Sequence, residues 1–356
     1  MKRNDLKVRG GAVESDKPVC PPISARDPAN IQAVAKAARV SKTTVSHVLS
    51  GHRPVSHATR RNVLRVMDEL GFQPNYFAQA LNANRSLAVA LIVQDLTNPY
   101  YPLLGRGLEL AMGEAGYVVM LFDGAARPDA ADAAVKIAIQ RRVDGVVLAA
   151  AGAERAASTL RRACVAVVAV GSGPALAEVD WVSANDERIA HDAVMHLAKA
   201  GHRNIATITG PIDRNPGAAR FRGYRQAIAS LGIAADESLV VEGDWTRESG
   251  AKAMTALLNR LRRPMAVFCA NDVMAIGALD TVLGRALRAP EDVAVVGVDD
   301  IDAASLVRPS LTTVRLPSLE IGRTAGTLLL DRLSEGAAAP ARHILIQHSL
   351  VVRQSA

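Results

Sequence analysis

Apolar positions near the start of the chain recur with a helical period. Ile31, Val34, Ala35 and Ala38 fall at i, i+3, i+4 and i+7, the stripe of a short amphipathic helix. Arg39-Val40 breaks it, and Ser41 stands where an N-cap belongs. In the helix that follows, Val45, Val48 and Leu49 make an inward face while Lys42, Thr43, Ser46 and His47 point outward. Ser56 suits the cap of a third helix, His57 to Leu70, with Val63, Val66, Met67 and Leu70 inward and Gly71 at its C′ position. A short helix, a tight turn and a second helix with a polar face match the helix-turn-helix that reads the DNA major groove. A piece of helical bundle with a solvated face has the same spacing.

From residue 87 the pattern changes to apolar runs alternating with helical stripes. Strands are expected at Leu87 to Val93, Tyr117 to Phe122, Gly145 to Ala149 and Val165 to Val170, with helices at Leu103 to Ala115, Asp129 to Arg141 and Glu154 to Ala163 between them. A second cycle has helices from Glu187 to Ala200, Ala219 to Leu231, Glu248 to Leu261 and Asp272 to Leu287. Its strands are Ile205 to Thr209, Leu239 to Glu242, Ala266 to Cys269 and Val293 to Val298; a helix from Ser318 to Leu333 and a last strand from Ile344 to Val351 follow. Repeated βαβ units predict an α/β body of doubly wound parallel sheets covered on both faces. Both cycles lead from an apolar strand into an Asn-Pro loop, Asn98-Pro99 and Asn215-Pro216, so two similar lobes are expected with a cleft at the carboxyl ends of their strands.

Length and charge sharpen this picture. At 356 residues the chain exceeds one ordinary domain. Residues 29–86 hold eight basic against two acidic residues, and residues 1–28 six against four, which leaves the remainder near neutral out of a total of +7. Positive charge therefore concentrates on the three-helix segment, as phosphate contact requires. Residues 1–28 carry scattered charge but no apolar h-region, and read as a disordered basic tail, not a signal peptide. No apolar run is long enough to span a membrane. Cys20, Cys164 and Cys269 are far apart and fit neither a zinc pattern nor a disulfide framework, which points to a reducing, cytoplasmic setting with Cys164 and Cys269 as core residues.

Residues 75–86 link the two parts. Asn75 to Asn82 is long enough for about two helical turns, marginal as an isolated helix. Strand ends supply ligand candidates. Tyr100 and Tyr101 either stack on a flat ligand or pack on their own lobe, and Asp95 and Asn98 either bond hydroxyls or shape the Asn-Pro turn. Arg214 and Arg220 offer planar donor forks, and Trp245, Asn271 and Asp299 follow later strands. Asp272 and Asp300 read instead as a helix cap and a turn residue.

The run Ala35 to Gly51, followed by Leu-Gly-Phe-Gln-Pro-Asn at 70–75, resembles the headpiece of the lactose- and galactose-repressor (LacI/GalR) family of bacterial regulators, and the resemblance extends over nearly everything from residue 29. It departs at Arg39, where Gly is usual in the turn, at His47, where Arg is usual, and at Ser50, where Asn is usual. The resemblance implies a headpiece at 29–74, a hinge helix at 75–86 and a periplasmic-binding-protein-like body at 87–356. Its lobes would span about 87–185 with 317–336, and 186–316 with 342–352, crossing near Ser183 to Glu187, Thr312 to Pro317 and Glu335 to His343. It places Ser41, Lys42, Thr43, Ser46 and His47 on DNA, with Asn75, Gln79 and the minor-groove wedge Leu81 in the hinge. Asp213 to Arg220 is similar to the effector loop of the purine-repressor members, whose arginines, paired aromatics, later aromatic and aspartate match Arg214 and Arg220, Tyr100 and Tyr101, Trp245, and Asp299. Their Asp-Trp pair after the fourth strand is replaced by Gly171-Ser172, which leaves Ser172 as the candidate there.

These features imply a homodimeric transcription regulator, most often a repressor in this family, on a pseudo-palindromic operator and controlled by a sugar, sugar acid or nucleobase. A solute receptor for transport is disfavoured by the missing signal peptide and the basic headpiece. An enzyme is disfavoured because no Gly-x-Gly-x-x-Gly, Walker loop or Gly-x-Ser-x-Gly elbow follows a strand. His47, His52 and His57 recur at a five-residue spacing that separates them onto different faces, so no metal or cofactor is expected.

Overall fold

The computed structural model describes residues 30–50, 53–72, 85–124, 130–150, 152–171, 176–260, 265–335 and 339–356. They divide into two units, 1–83 and 84–356. The expected tail at 1–28, the hinge candidates Asn75, Gln79 and Leu81, and Ser172 lie outside the described residues.

The first unit holds three helices, α1 (Ile31–Ala38), α2 (Lys42–Ser50) and α3 (His57–Glu69). Each begins on a side-chain cap. Asn30 accepts the Ala33 N–H at 3.0 Å, Ser41 Oγ the Thr44 N–H at 3.0 Å and Ser56 Oγ the Thr59 N–H at 3.2 Å. Val34, Ala35, Ala38, Val45, Val48, Val63, Val66 and Met67 close one small core. Leu70 does not join it and stays 41% exposed. It lies past the last helical turn, where Gly71 at φ 59° reverses the chain, so that Phe72 donates to the Met67 carbonyl at 2.8 Å and packs on the core instead.

The second unit contains two sheets. One runs β11-β5-β4-β3-β1-β2, from β1 (Ala88–Val93), β2 (Val118–Asp123), β3 (Gly145–Ala149), β4 (Ala166–Val170), β5 (Asp180–Ala184) and β11 (His343–Ile346). The other runs β12-β10-β9-β8-β6-β7, from β6 (Ile205–Thr209), β7 (Val240–Glu242), β8 (Met265–Cys269), β9 (Val293–Asp299), β10 (Thr312–Arg315) and β12 (Ser349–Val351). Pairing is parallel except between β12 and β10. The flanking helices are α4 (Tyr100–Glu114), α5 (Ala130–Gln140), α6 (Ala153–Arg162), α7 (Asp186–Lys199), α8 (Gly217–Ser230), α9 (Arg247–Arg260), α10 (Asp272–Gly284), α11 (Asp302–Leu306) and α12 (Ser318–Glu335). The fully buried runs of β1, β3, β6, β8 and β9 explain why these strands read as unbroken apolar stretches.

Three expectations need correction. The sequence predicts no strand at 180–184, yet β5 is there, with buried Asp180 accepting from Arg332 at 2.8 Å and from Arg342 at 2.9 Å. Those hydrogen bonds outweigh the effect of burial and hold its carboxyl at about 2. The last strand is two strands, β11 in the first sheet and β12 in the second. The chain therefore crosses between lobes at 347–348 rather than at Glu335 to His343, and 343–346 belongs to the first lobe. Cys164 is exposed at φ 57°, just beyond α6, and only Cys269 of the two is buried.

The turn between α1 and α2 is strained in a definite way. Arg39 sits at φ 55°, ψ 44°, the left-handed region that costs a residue bearing a Cβ about 1 kcal/mol. That strain buys a closed turn in which Val40 donates to the Ala35 carbonyl at 3.0 Å. We expect Arg39→Gly to stabilise the first unit by up to about 1 kcal/mol. Slower hydrogen exchange of the α1 amides would register the gain, and faster exchange would refute the strain.

Candidate functional site

The outer face of α2 is polar and accessible. Lys42, Thr43 and Ser46 are exposed and His47 is half-buried, while Val45 and Val48 point into the core. Ser41 is committed to the cap, its hydroxyl also bonded to that of Thr44 at 2.8 Å. Lys36, Arg39, Arg53, Arg60, Arg61 and Arg65 are exposed as well, so the basic residues of this unit all face solvent among those described. With the positive end of the α2 dipole beside Lys42, this surface suits a polyanion.

In the second unit the carboxyl ends of the two sheets frame a cavity of about 460 Å³. It is lined by Asp95, Asn98, Tyr100, Tyr101, Arg214, Arg220, Trp245, Asn271 and Asp299, every effector candidate that falls among the described residues. Gly171, beside Ser172, lines it too. Asp186 also lines it, and the sequence reading missed it by starting that helix one residue later, at Glu187. The signal was present: Asn185-Asp186 is a cap followed by a first-turn acid at a crossing between lobes.

Arg220, on α8, is the most buried cation there, its side chain 6% exposed. Its Nε donates to Asp186 Oδ1 at 2.9 Å and one terminal nitrogen donates to the Ala270 carbonyl at the end of β8. The same nitrogen lies 4.0 Å from Asp299 Oδ1 at the end of β9. Burial disfavours the charged guanidinium, but Asp186 and Asp299 more than compensate and raise its pKa. For Asp299 the balance runs the other way. Burial and the neighbouring charge of Asp186 push its carboxyl up to about 7, against the opposing pull of Arg220 and a hydrogen bond from the Asn98 side chain. Burial likewise raises Asp186 above the usual carboxylate range, despite Arg220.

The aromatic wall is fixed from behind. Tyr100 and Tyr101 meet edge to face, ring centres 5.1 Å apart, and burial raises both hydroxyls so that they stay neutral donors. Trp245 lies against Gly210 so closely that a Cβ there would fall 2.2 Å from its ring, and Arg220 stands 6.0 Å from the ring centre. Two cavity residues hold left-handed backbone, Trp245 at φ 76° and Asp299 at φ 118°, strain of the kind that ligand sites carry.

Several polar candidates also have structural duties. Asn271 caps α10 through the Met274 N–H at 2.9 Å and donates to the Trp245 carbonyl at 3.1 Å. Asn271, not Asp272, is the cap. Asp272 is buried next to it and accepts from the Ile301 N–H at 3.0 Å and the Thr313 hydroxyl at 2.6 Å. Asp300, at φ 60°, makes the turn and binds Arg315 at 2.7 Å and Arg353 at 2.6 Å. Asp95 accepts from the Thr97 N–H at 2.8 Å, and Asn98 from the Tyr100 N–H at 3.0 Å. Arg214 is half-exposed at the rim, 3.6 Å from Asp213.

Comparison with known proteins joins the two units. Residues 30–75 match the model for bacterial regulatory proteins of the lacI family, and residues 194–356 that for the periplasmic binding protein-like domain. The HTH-type transcriptional repressor CytR of Escherichia coli K12 is 35% identical over 329 residues, 92% of this chain and 96% of its own length. The chain belongs to the lacI family. The HTH-type transcriptional repressor PurR of Proteus mirabilis is 35% identical over 330 residues, again 92% of this chain and 96% of its own. Among solved structures, the lac repressor dimer bound to operator and the anti-inducer ONPF superposes with a TM-score of 0.83 at 28% identity, covering 92% of this chain and 99% of that one. These lacI-family relatives are DNA-binding repressors, which makes the chain a regulator rather than an enzyme. Among the described residues no helix is long and apolar enough to cross a membrane.

The raised pKa of Asp299 has a thermodynamic consequence. The folded carboxyl holds a proton up to about pH 7, whereas an unfolded aspartate releases it near 4. Between those values the native state binds more protons, so stability from this group is full at the acid end and is lost as pH rises towards 7. We expect the ligand-free protein to lose several degrees of unfolding temperature over that window. Asp299→Asn should flatten this component, and calorimetric scans showing the same pH slope in both proteins would exclude it.

Proposed function

We propose that this chain is a homodimeric repressor that binds a pseudo-palindromic operator and releases or tightens on it when a small molecule occupies the cleft. The observation that carries the reading is the coexistence, in one chain, of a basic helix-turn-helix unit with an open polar α2 face and a two-lobed body whose cavity gathers aromatic and hydrogen-bonding side chains. Lys42, Thr43, Ser46 and His47 would read base edges in the major groove, with Ser41 at the helix start near the phosphates. Leu81 would wedge the minor groove, with Asn75 and Gln79 beside it. The effector is a sugar, a sugar acid or a nucleobase that binds one arrangement of the lobes better than another. It shifts the operator-competent population by no more than that difference.

Dimerisation is supported by an apolar surface on the first lobe. Leu103 and Leu110, seven apart on α4, are 45% and 39% exposed, and Leu121 on the edge strand β2 is 46% exposed. An uncovered apolar helix face beside an open sheet edge is what a second copy would bury.

Selection of bound sequences from a random duplex pool, at stated salt, tests the reading. A two-fold symmetric site is expected, and sequence-blind, salt-sensitive binding alone would sink it. His47→Ala should relax preference at one base pair per half-site, worth about 1–3 kcal/mol. Uniform weakening on all sequences would remove His47 from base readout. In a reporter driven by the selected operator and scanned across growth media, wild type should respond in at least one medium. Arg220→Ala should respond in none while still binding operator; a retained response would take Arg220 out of the effector site.

A further inference from the structure

We infer that Asp186 sets the charge of the effector, so that the cleft takes an uncharged or cationic molecule rich in N–H and O–H donors and turns away carboxylates and phosphates. This rests on the cleft being the effector site, and goes further by choosing among effector chemistries. By residue type alone, Arg214 and Arg220 advertise an anion site. The geometry removes that offer. Arg220 lies between two carboxylates, bonded to Asp186 at 2.9 Å and 4.0 Å from Asp299, and its main-chain bond to Ala270 occupies a further donor. One buried guanidinium facing two carboxylates leaves a surplus of negative charge, in side chains that are 6%, 12% and 6% exposed for Arg220, Asp186 and Asp299.

Arg214 does not correct the balance. It is 49% exposed, pairs with Asp213, and is screened by water. Asp95, half-buried in the same cavity, adds to the negative side, while Glu154 and Asp244 are exposed and screened as Arg214 is. Walls of Tyr100, Tyr101 and Trp245 keep the local dielectric low, which strengthens repulsion of an incoming anion. A donor-rich ligand meets the opposite field, since an ionised carboxylate has about four acceptor sites. When the cleft is empty a proton on Asp299 relieves the surplus, and ligand donors would take its place.

Neutralising either carboxylate would leave the trio neutral; Asp186 is singled out because it is the one hydrogen-bonded to Arg220, at 2.9 Å against 4.0 Å for Asp299. Asp186→Asn removes one negative charge yet keeps an oxygen able to accept from Arg220, so the fold is retained.

The test uses full-length wild type, Asp186→Asn and, as a second neutralising variant, Asp299→Asn, with thermal shift and calorimetric titration. The probes are matched in shape and differ in charge: the four ribonucleosides against their 5′-monophosphates, and glucose and glucosamine against gluconate and glucose 6-phosphate. An uncharged or cationic probe should bind wild type, with its anionic counterpart at least about tenfold weaker, and Asp186→Asn should narrow that gap about tenfold. An anionic probe binding as tightly as its counterpart would overturn the inference and leave the effector reading intact. So would a gap that both variants leave unchanged. A panel in which nothing binds would also overturn this ligand class, while the effector reading would still stand or fall with the Arg220→Ala reporter.

Discussion

A buried guanidinium has to be matched on every side, and that requirement organises the second lobe. Arg220 projects from α8, yet its partners come from the start of α7, the end of β8 and the end of β9. Removing a cation from water costs several kcal/mol unless its donors are met, so these chain segments must converge for the lobe to fold. Their convergence is also what makes a cleft. Strand ends that would otherwise be solvated loops become a fixed polar wall, and Trp245, held by Asn271 and lodged against Gly210, closes it. The side chains that hold the lobe together thus also form the wall of the cleft, and that wall contains the left-handed backbone of Trp245 and Asp299.

Behind this wall the lobes are stiff. Glycines bring helix backbones into direct contact: a Cβ on Gly107 of α4 or Gly322 of α12 would lie 2.0 Å from a carbonyl of the other helix. Gly223 of α8 against α7, and Gly250 and Gly277 between α9 and α10, repeat the arrangement in the second lobe. Interfaces this close have no room to shear, so any rotation of one lobe on the other would fall to the three crossovers.

Much of this was legible in the sequence because the informative residues act locally. Caps at Ser41 and Ser56, the αL position of Gly71 and the apolar runs of β1, β3, β6, β8 and β9 depend on neighbours within a few positions. That the strand-end candidates would line one cavity was legible because strand ends in doubly wound sheets converge. What escaped was non-local. β5 is stabilised at Asp180 by Arg332 and Arg342, more than 150 residues away, and β10 buries Thr313 on Asp272 across 41 residues. Leu70 had the right period but lay past the helix end. Asp186 was marked locally as a first-turn acid after the Asn185 cap, but its pairing with Arg220, 34 residues on, was not.

The corrected third crossover gives the hinge a chemical content. His348 lies in the two-residue link between β11 and β12, and its Nε2 is 3.2 Å from Asp192 on α7, the helix that begins just after the first crossover. Asp192 also takes Arg188 and His191, at 3.0 and 3.2 Å. The third link is therefore tied to α7, and His348 lies near enough to Asp186 for its charge to lower that carboxyl's pKa against the rise that burial causes. Asp186 thus stands at the first crossover and within electrostatic reach of the third. Arg220 is bonded to Asp186 and His348 to Asp192, and the charge of His348 acts on Asp186 through space, so the cleft and the third link share one electrostatic neighbourhood.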